Sequence, residues 1–123
     1  MAVNRNLVAF AAVNGAVAVA LGAFAAHGAG PQIKTLLTTG AQYQSTHALL
    51  AVACALWPGY PRLVHIAGWL ASVGGLIFSL SLAFLGFLSL PALGMITPIG
   101  GVLMIAAWLL LIIASFRSPP PNA

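Results

Sequence analysis

No aspartate or glutamate occurs in the 123-residue chain, and lysine and arginine together number four. Several functions are excluded at once. The carboxylates that usually do general acid–base work are missing, and so are the oxygen ligands that hold hard cations. No acid is present to relay a proton across a membrane. The cations Arg5, Lys34, Arg62 and Arg117 are scattered, so no basic run exists to neutralise a nucleic-acid backbone. Cysteine is as scarce. Cys54 stands alone within an apolar run and cannot close an internal disulfide.

What remains is mostly hydrocarbon, with 62% hydrophobic residues, 3% charged residues and a mean hydropathy of +1.09. A soluble domain carries about 25% charged residues. A surface built from this composition has to face lipid. The pI of about 10.3 reflects the missing acids and not a basic patch.

Four spans are expected. Leu7–Ala26 is charge-free and long enough to cross about 30 Å of hydrocarbon as a helix. Arg5 and the Ala23-Phe24-Ala25 tripeptide resemble parts of a secretory signal. The apolar run exceeds a usual signal core, so a retained helix is expected (span 7–26). His27–Thr39 reads as a loop, broken by Gly28, Gly30 and Pro31, with a short interfacial helix at Pro31–Leu37 and Lys34 snorkelling from it. Ala41–Trp57 is the second span, with polar Gln42–His47 at headgroup depth and Trp57 at the far interface. Pro58–Arg62 is a tight turn. Leu63–Phe87 is the third span, and Ser89–Gly101 a charge-free connection. Pro98 suits the first turn of the fourth span, 98–116, which Arg117 closes. Ser118–Ala123 is an exposed, proline-rich tail.

Four spans put both termini on one side, with Arg5, Arg62 and Arg117 there and Lys34 on the other. The positive-inside rule then makes both termini cytoplasmic. Small residues recur on single helical faces, at Ala11, Gly15, Ala18 and Gly22 in the first span and at Gly68, Ser72, Gly75, Ser79 and Gly86 in the third. Close backbone approach at such residues drives helix packing in lipid. The Ser72 and Ser79 hydroxyls are also placed to bond across the interface.

The stretch Gly40–Leu50 concentrates the polar side chains. His27 ends the first helix and His47 begins the second in this register. The two imidazoles would then be neighbours, able to hold haem, a quinone or a metal, or simply to cap helix ends. The preferred reading is a structural clasp. Tyr43, Gln44 and His47 would hydrogen-bond the open backbone at Met95–Gly101, around Thr97 and Pro98, because irregular backbone at membrane depth needs internal partners. No ionisable side chain is expected in mid-membrane, which disfavours a proton-coupled carrier.

The segments GAFAAHG (Gly22–Gly28), TGAQYQSTHAL (Thr39–Leu49), GGLIFSLSL (Gly74–Leu82) and MITPIGGVLMIAAWLLL (Met95–Leu111) occur in this order. Together they resemble the domain-of-unknown-function 423 family, small bacterial membrane proteins related to eukaryotic transmembrane protein 256. The resemblance covers nearly the whole chain and implies a four-span membrane protein. It implies no particular activity, so no catalytic residue is carried over.

The expected architecture is all-α, an antiparallel bundle of four transmembrane helices in a bacterial inner membrane. The expected function is non-catalytic and needs no cofactor: an accessory or structural subunit of a larger membrane complex, such as a respiratory one. A homo-oligomeric channel or carrier for a small neutral solute is the alternative, with the haem or quinone site a third. Expected partners are the bilayer and other membrane subunits or further copies of the chain, not nucleic acid.

Overall fold

The computed structural model describes residues 3–59 and 61–117. Tyr60 of the expected turn and the expected tail at 118–123 lie outside the described residues. Four long helices account for most of the rest: α1 (Arg5–His27), α2 (Pro31–Ala55), α3 (Arg62–Leu88) and α4 (Thr97–Arg117). A short 3-10 turn, Pro91–Met95, precedes α4. At about 1.5 Å per residue each helix rises roughly 30–40 Å, the thickness of a bilayer. α1, α3 and the Pro91–Arg117 segment are long and apolar enough to cross a membrane. α2 matches them in length, at 25 residues, but is more polar.

Local chemistry sets the helix ends. The Asn4 side chain accepts a hydrogen bond from the Leu7 N–H at 3.1 Å and caps α1. At the other end the Gly28 and Ala29 N–H groups both reach the Phe24 carbonyl. Pro31 opens α2, where its missing N–H costs nothing. Ser89 closes α3 in the left-handed conformation, at φ 53°.

Two boundaries differ from the sequence expectation. The second helix starts at Pro31, not Ala41, so the expected loop shrinks to Gly28–Gly30 and Gln42–His47 falls in the middle of α2 instead of at headgroup depth. The Thr38-Thr39-Gly40 run is weak in helix propensity, but Gly40 is buried. A Cβ there would lie 3.1 Å from both Cα and Oγ of Ser79. Packing against α3 thus outweighs intrinsic preference. The charge-free connection, expected to reach Gly101, ends at Ile96, because α4 begins at Thr97, one residue ahead of the expected 98–116 span.

The helices run antiparallel in sequence order. Asn4 meets Ala55 and Asn14 meets Gln44 between α1 and α2. Gly68 faces Cys54 and Gly86 faces Ile33 between α3 and α2, and Ser81 meets Thr97 between α3 and α4. α3 is the central element, packed along α2 on one side and α4 on the other, while α1 rests mainly on α2. The core is built from thin residues, among them Ala11, Ala51, Ala67, Ala71 and Ala107. Arg5, Arg62 and Arg117 lie at one end of the bundle and Lys34 at the other.

α3 carries two thin faces. Gly68, Ser72, Gly75 and Ser79 are buried, and a Cβ on Gly86 would touch Leu36 and Ile33 of α2. Gly74 faces α4, where a Cβ would stand 2.8 Å from the Gly100 carbonyl oxygen. On α1 the buried positions are Leu7, Ala11, Asn14, Ala18 and Ala25. Gly15, expected in this face, is only partly buried and has open space where a Cβ would go. Leu7 and Asn14 direct the face one position away from it. Gly22 stays at its edge, 3.8 Å from the Ala41 Cβ.

Gly100 makes the tightest crossing. A Cβ there would sit 2.6 Å from both the Gly74 carbonyl oxygen and the Phe78 nitrogen, which are backbone atoms that cannot step aside. Gly100→Ala is expected to destabilise the protein by about 1–3 kcal/mol, measured by unfolding in detergent micelles. Gly101→Ala, where nothing lies within 4 Å, should be close to neutral.

Candidate functional site

The polar residues of α2 divide by face. Gln44 and His47 point inward and are 0% and 5% exposed. Gln42, Tyr43 and Thr46 point outward and are exposed. A helix turns about 100° per residue, so a contiguous polar run has to serve both sides.

Inside, Gln44 Nε2 donates to Asn14 Oδ1 of α1 at 2.9 Å, and Asn14 Nδ2 donates to the Phe10 carbonyl at 3.3 Å. This amide pair ties α1 to α2 in the middle of the bundle. Nearby, the Ser72 and Ser79 hydroxyls and Gln44 Oε1 have no hydrogen-bond partner among the described residues. The hydroxyl bonds expected across the α3 interface are therefore not made. What that interface uses is the small volume of the serines, since Gly40 closes directly on Ser79.

His47 joins α2 to α4. Its Nδ1 lies 2.7 Å from the Tyr43 carbonyl oxygen, which can only accept, so Nδ1 carries the hydrogen. Trp108 Nε1 donates to Nε2 at 3.1 Å, with the indole edge-on to the imidazole. Both ring nitrogens are thus committed. Tyr43 flanks His47 and Phe78, with ring centroids 6.4 and 5.1 Å away.

These contacts correct two expectations. The clasp onto Met95–Gly101 is replaced by bonds to Trp108 and Asn14, because Thr97–Gly101 is helical and its backbone needs no outside partner. His27 and His47 are not neighbours. His27 adjoins the start of α2, and His47 lies sixteen residues further along it, about 24 Å of helix rise. That separation, with the engaged His47 nitrogens, removes the haem, quinone or metal pair. It also places one imidazole, His47, in the middle of the bundle, where no ionisable side chain was expected. Thr97 meets Ser81 at 2.7 Å, Ser81 donates to the Phe78 carbonyl at 3.0 Å, and Pro98 is exposed. At the arginine end, Asn4 Nδ2 donates to His65 Nδ1 at 2.9 Å and pins α1 to α3.

Asn14 and Trp108 are the two hydrogen-bonding positions of this network that sequence reasoning did not assign. Asn14 had a usable signal, an amide on the Leu7–Ala11–Ala18–Ala25 spacing of an otherwise apolar helix. Trp108 had another, an indole N–H in mid-span, far from the interfaces where such groups usually find water.

Outside, α2 presents a neutral polar face. Thr35, Thr38, Thr39, Gln42, Ser45 and Thr46 share one side of the helix and are exposed or partly so. Below this face an open groove of about 540 Å³ runs between α1 and α2, floored by Ala18, Gly22 and Ala41 and rimmed by Thr38, Gln42, Ser45 and Thr46. Away from their ends, where Arg5, His27, Arg62 and Arg117 are exposed, α1, α3 and α4 turn large apolar side chains outward, Val13, Ile66, Phe84, Ile105 and Ile112 among them.

Four membrane-length helices, an apolar exterior and an interior of thin residues and neutral polar pairs define a small multi-pass helical membrane protein. The profile described as "Protein of unknown function (DUF423)" matches residues 21–101, and the chain belongs to that family. A UPF0382 membrane protein of Staphylococcus aureus (strain bovine RF122 / ET3-1) is 40% identical over 111 residues, covering 86% of this chain and 91% of the relative. The UPF0382 membrane protein YwdK of Bacillus subtilis (strain 168) is 39% identical over 113 residues, covering 86% and 92%. No solved structure matches the chain.

Trp108→Phe keeps the aromatic volume and removes the donor to His47. It is expected to cost about 0.6–2 kcal/mol in micelle unfolding. The nitrogen resonance of His47 Nε2 should shift while that of Nδ1 stays in place. An unchanged Nε2 signal would show that the indole bond is not formed.

Proposed function

We propose that the protein is a non-catalytic structural subunit of a larger membrane assembly, and that the outward polar face of α2 is where it meets its partner. The supporting observation is the contrast among the four exteriors. Between their ends three are hydrocarbon, and the fourth carries hydroxyls and an amide over three turns. Polar side chains facing lipid forgo the hydrogen bonds that water would provide. Covering them with another protein helix restores those bonds, and such neutral contacts hold helices together in lipid. The absence of acids supports the non-catalytic part of this reading. The three arginines at one end support an orientation with both termini in the cytoplasm of a bacterial cell.

A second reading is favoured by the groove. Its neutral rim suits a small uncharged solute, and several copies arranged around it would form a homo-oligomeric channel or carrier. Gentle extraction from native membranes, native electrophoresis and mass spectrometry test the first reading. The expected result is a band larger than the 12.5 kDa chain, and a lone monomer would overturn it. For the second reading, solute flux into liposomes holding only this protein should exceed that of empty liposomes and fall with Gln42→Leu. Flux equal to that of empty liposomes would sink it.

A further inference from the structure

Resting on the reading that another membrane helix covers this face of α2, we propose that its occupant is a second copy of the same chain. The two copies would be related by a two-fold axis along the membrane normal that runs beside Gln42 and Thr46.

Three observations carry the choice of partner. The first is the chemistry of the face. Residues at a two-fold axis meet their own copies, so each has to complement itself. A face of lysines offers only donors, and one of carboxylates only acceptors. Gln42 carries both in one amide, and Thr38, Thr39, Ser45 and Thr46 carry both in one hydroxyl. Two Gln42 side chains across an axis bond reciprocally, each Nε2 donating to the other's Oε1. The Thr46 hydroxyl already donates to the Gln42 carbonyl at 3.0 Å and keeps its lone pairs for a neighbour.

The second is charge placement. Lys34, the one cation on α2, is displaced by about 80° from the Gln42 direction at 100° per residue. Two copies thus meet along α2 without setting lysine against lysine. A partner chosen by charge would need a charged face to read, and none is present here.

The third is orientation and shape. Arg5, Arg62 and Arg117 mark the same end of every copy, so all copies insert the same way and their α2 helices run parallel. Parallel pairing about the membrane normal puts each residue opposite its own copy at one depth, which suits a self-complementary face and is lost in a tilted or inverted pair. The groove floored by Ala18, Gly22 and Ala41 supplies the thin surface that lets a helix approach.

The test uses the full chain in native membranes. Cys54 is buried at the α2–α3 contact and is first changed to Ala. Two copies with different epitope tags are then co-expressed with a single cysteine at Gln42→Cys or Thr46→Cys and oxidised with copper phenanthroline. A disulfide-linked band carrying both tags is expected from these positions, weaker at Gln42→Cys because that change itself removes the amide pair. Val13→Cys on α1 and Ile112→Cys on α4, both exposed on apolar faces, should give none. Adding Gln42→Leu to the Thr46→Cys chain should reduce the two-tag band severalfold, because it removes the amide pair and leaves the cysteine in place. A band at Gln42→Cys that carries one tag and a different protein overturns the second copy as occupant and leaves the proposed function standing. With no adduct at either position, a bis-maleimide that spans longer distances is applied. Single-tag monomer alone after that treatment overturns both. Equal two-tag bands at all four positions mean random collision and overturn the inference.

Discussion

Helices in lipid approach only as closely as their thinnest residues allow, and the rest of this structure depends on that limit. Hydrocarbon outside the bundle is as apolar as the side chains within it, so burial alone provides little drive to associate. Contact between backbones provides it instead. The Gly74–Gly100 crossing brings α3 and α4 within carbonyl reach, and the Gly40–Ser79 contact does the same for α2 and α3. α3 has thin residues on two sides and so stands in the centre. α1 has one buried face, interrupted by an amide, and lies on the flank.

With backbones this close, the polar side chains act as positional markers. Asn14 bonds Gln44 and so sets the depth of α1 against α2. His47 does the same between α2 and α4, and its two bonds select one neutral tautomer. Each pair is neutral, as suits a chain without acids to compensate a buried cation. The Thr35 and Thr46 hydroxyls on the outer side of α2 bond only to carbonyls of α2 itself. The polar residues of one helix thus divide by direction, the inner ones bonded to α1 and α4 and the outer ones exposed.

The register of α2 illustrates how a local reading goes astray. Gly28, Gly30, Pro31, Gly40 and a run of threonines look like a long loop, and a helix starting at Ala41 places His47 near His27. Pro31 is in fact a helix opener, and Gly40 is a contact point and not a break. Moving the start by ten residues carries His47 into the middle of the bundle and turns the expected imidazole pair into two unrelated residues. The clasp onto Met95–Gly101 failed for a similar reason. That backbone satisfies its own hydrogen bonds by becoming helical, while the partners actually taken, Asn14 and Trp108, lie thirty and sixty-one residues from Gln44 and His47.

The amino-acid sequence by itself determined the solvent from its composition, the helical class from its long apolar runs and the family from its motifs. A chain with 3% charged residues has to dissolve in lipid, lipid admits only internally bonded backbone, and the motifs from Gly22 to Leu111 suffice to recognise the relatives. Which polar side chains face one another was decided only by the tertiary structure. A helix presents a new direction every 100°, and a single shift in its starting residue reassigns every face. The partners of Gln44 and His47 come from helices remote in sequence, and no spacing along the chain encodes their distance in space.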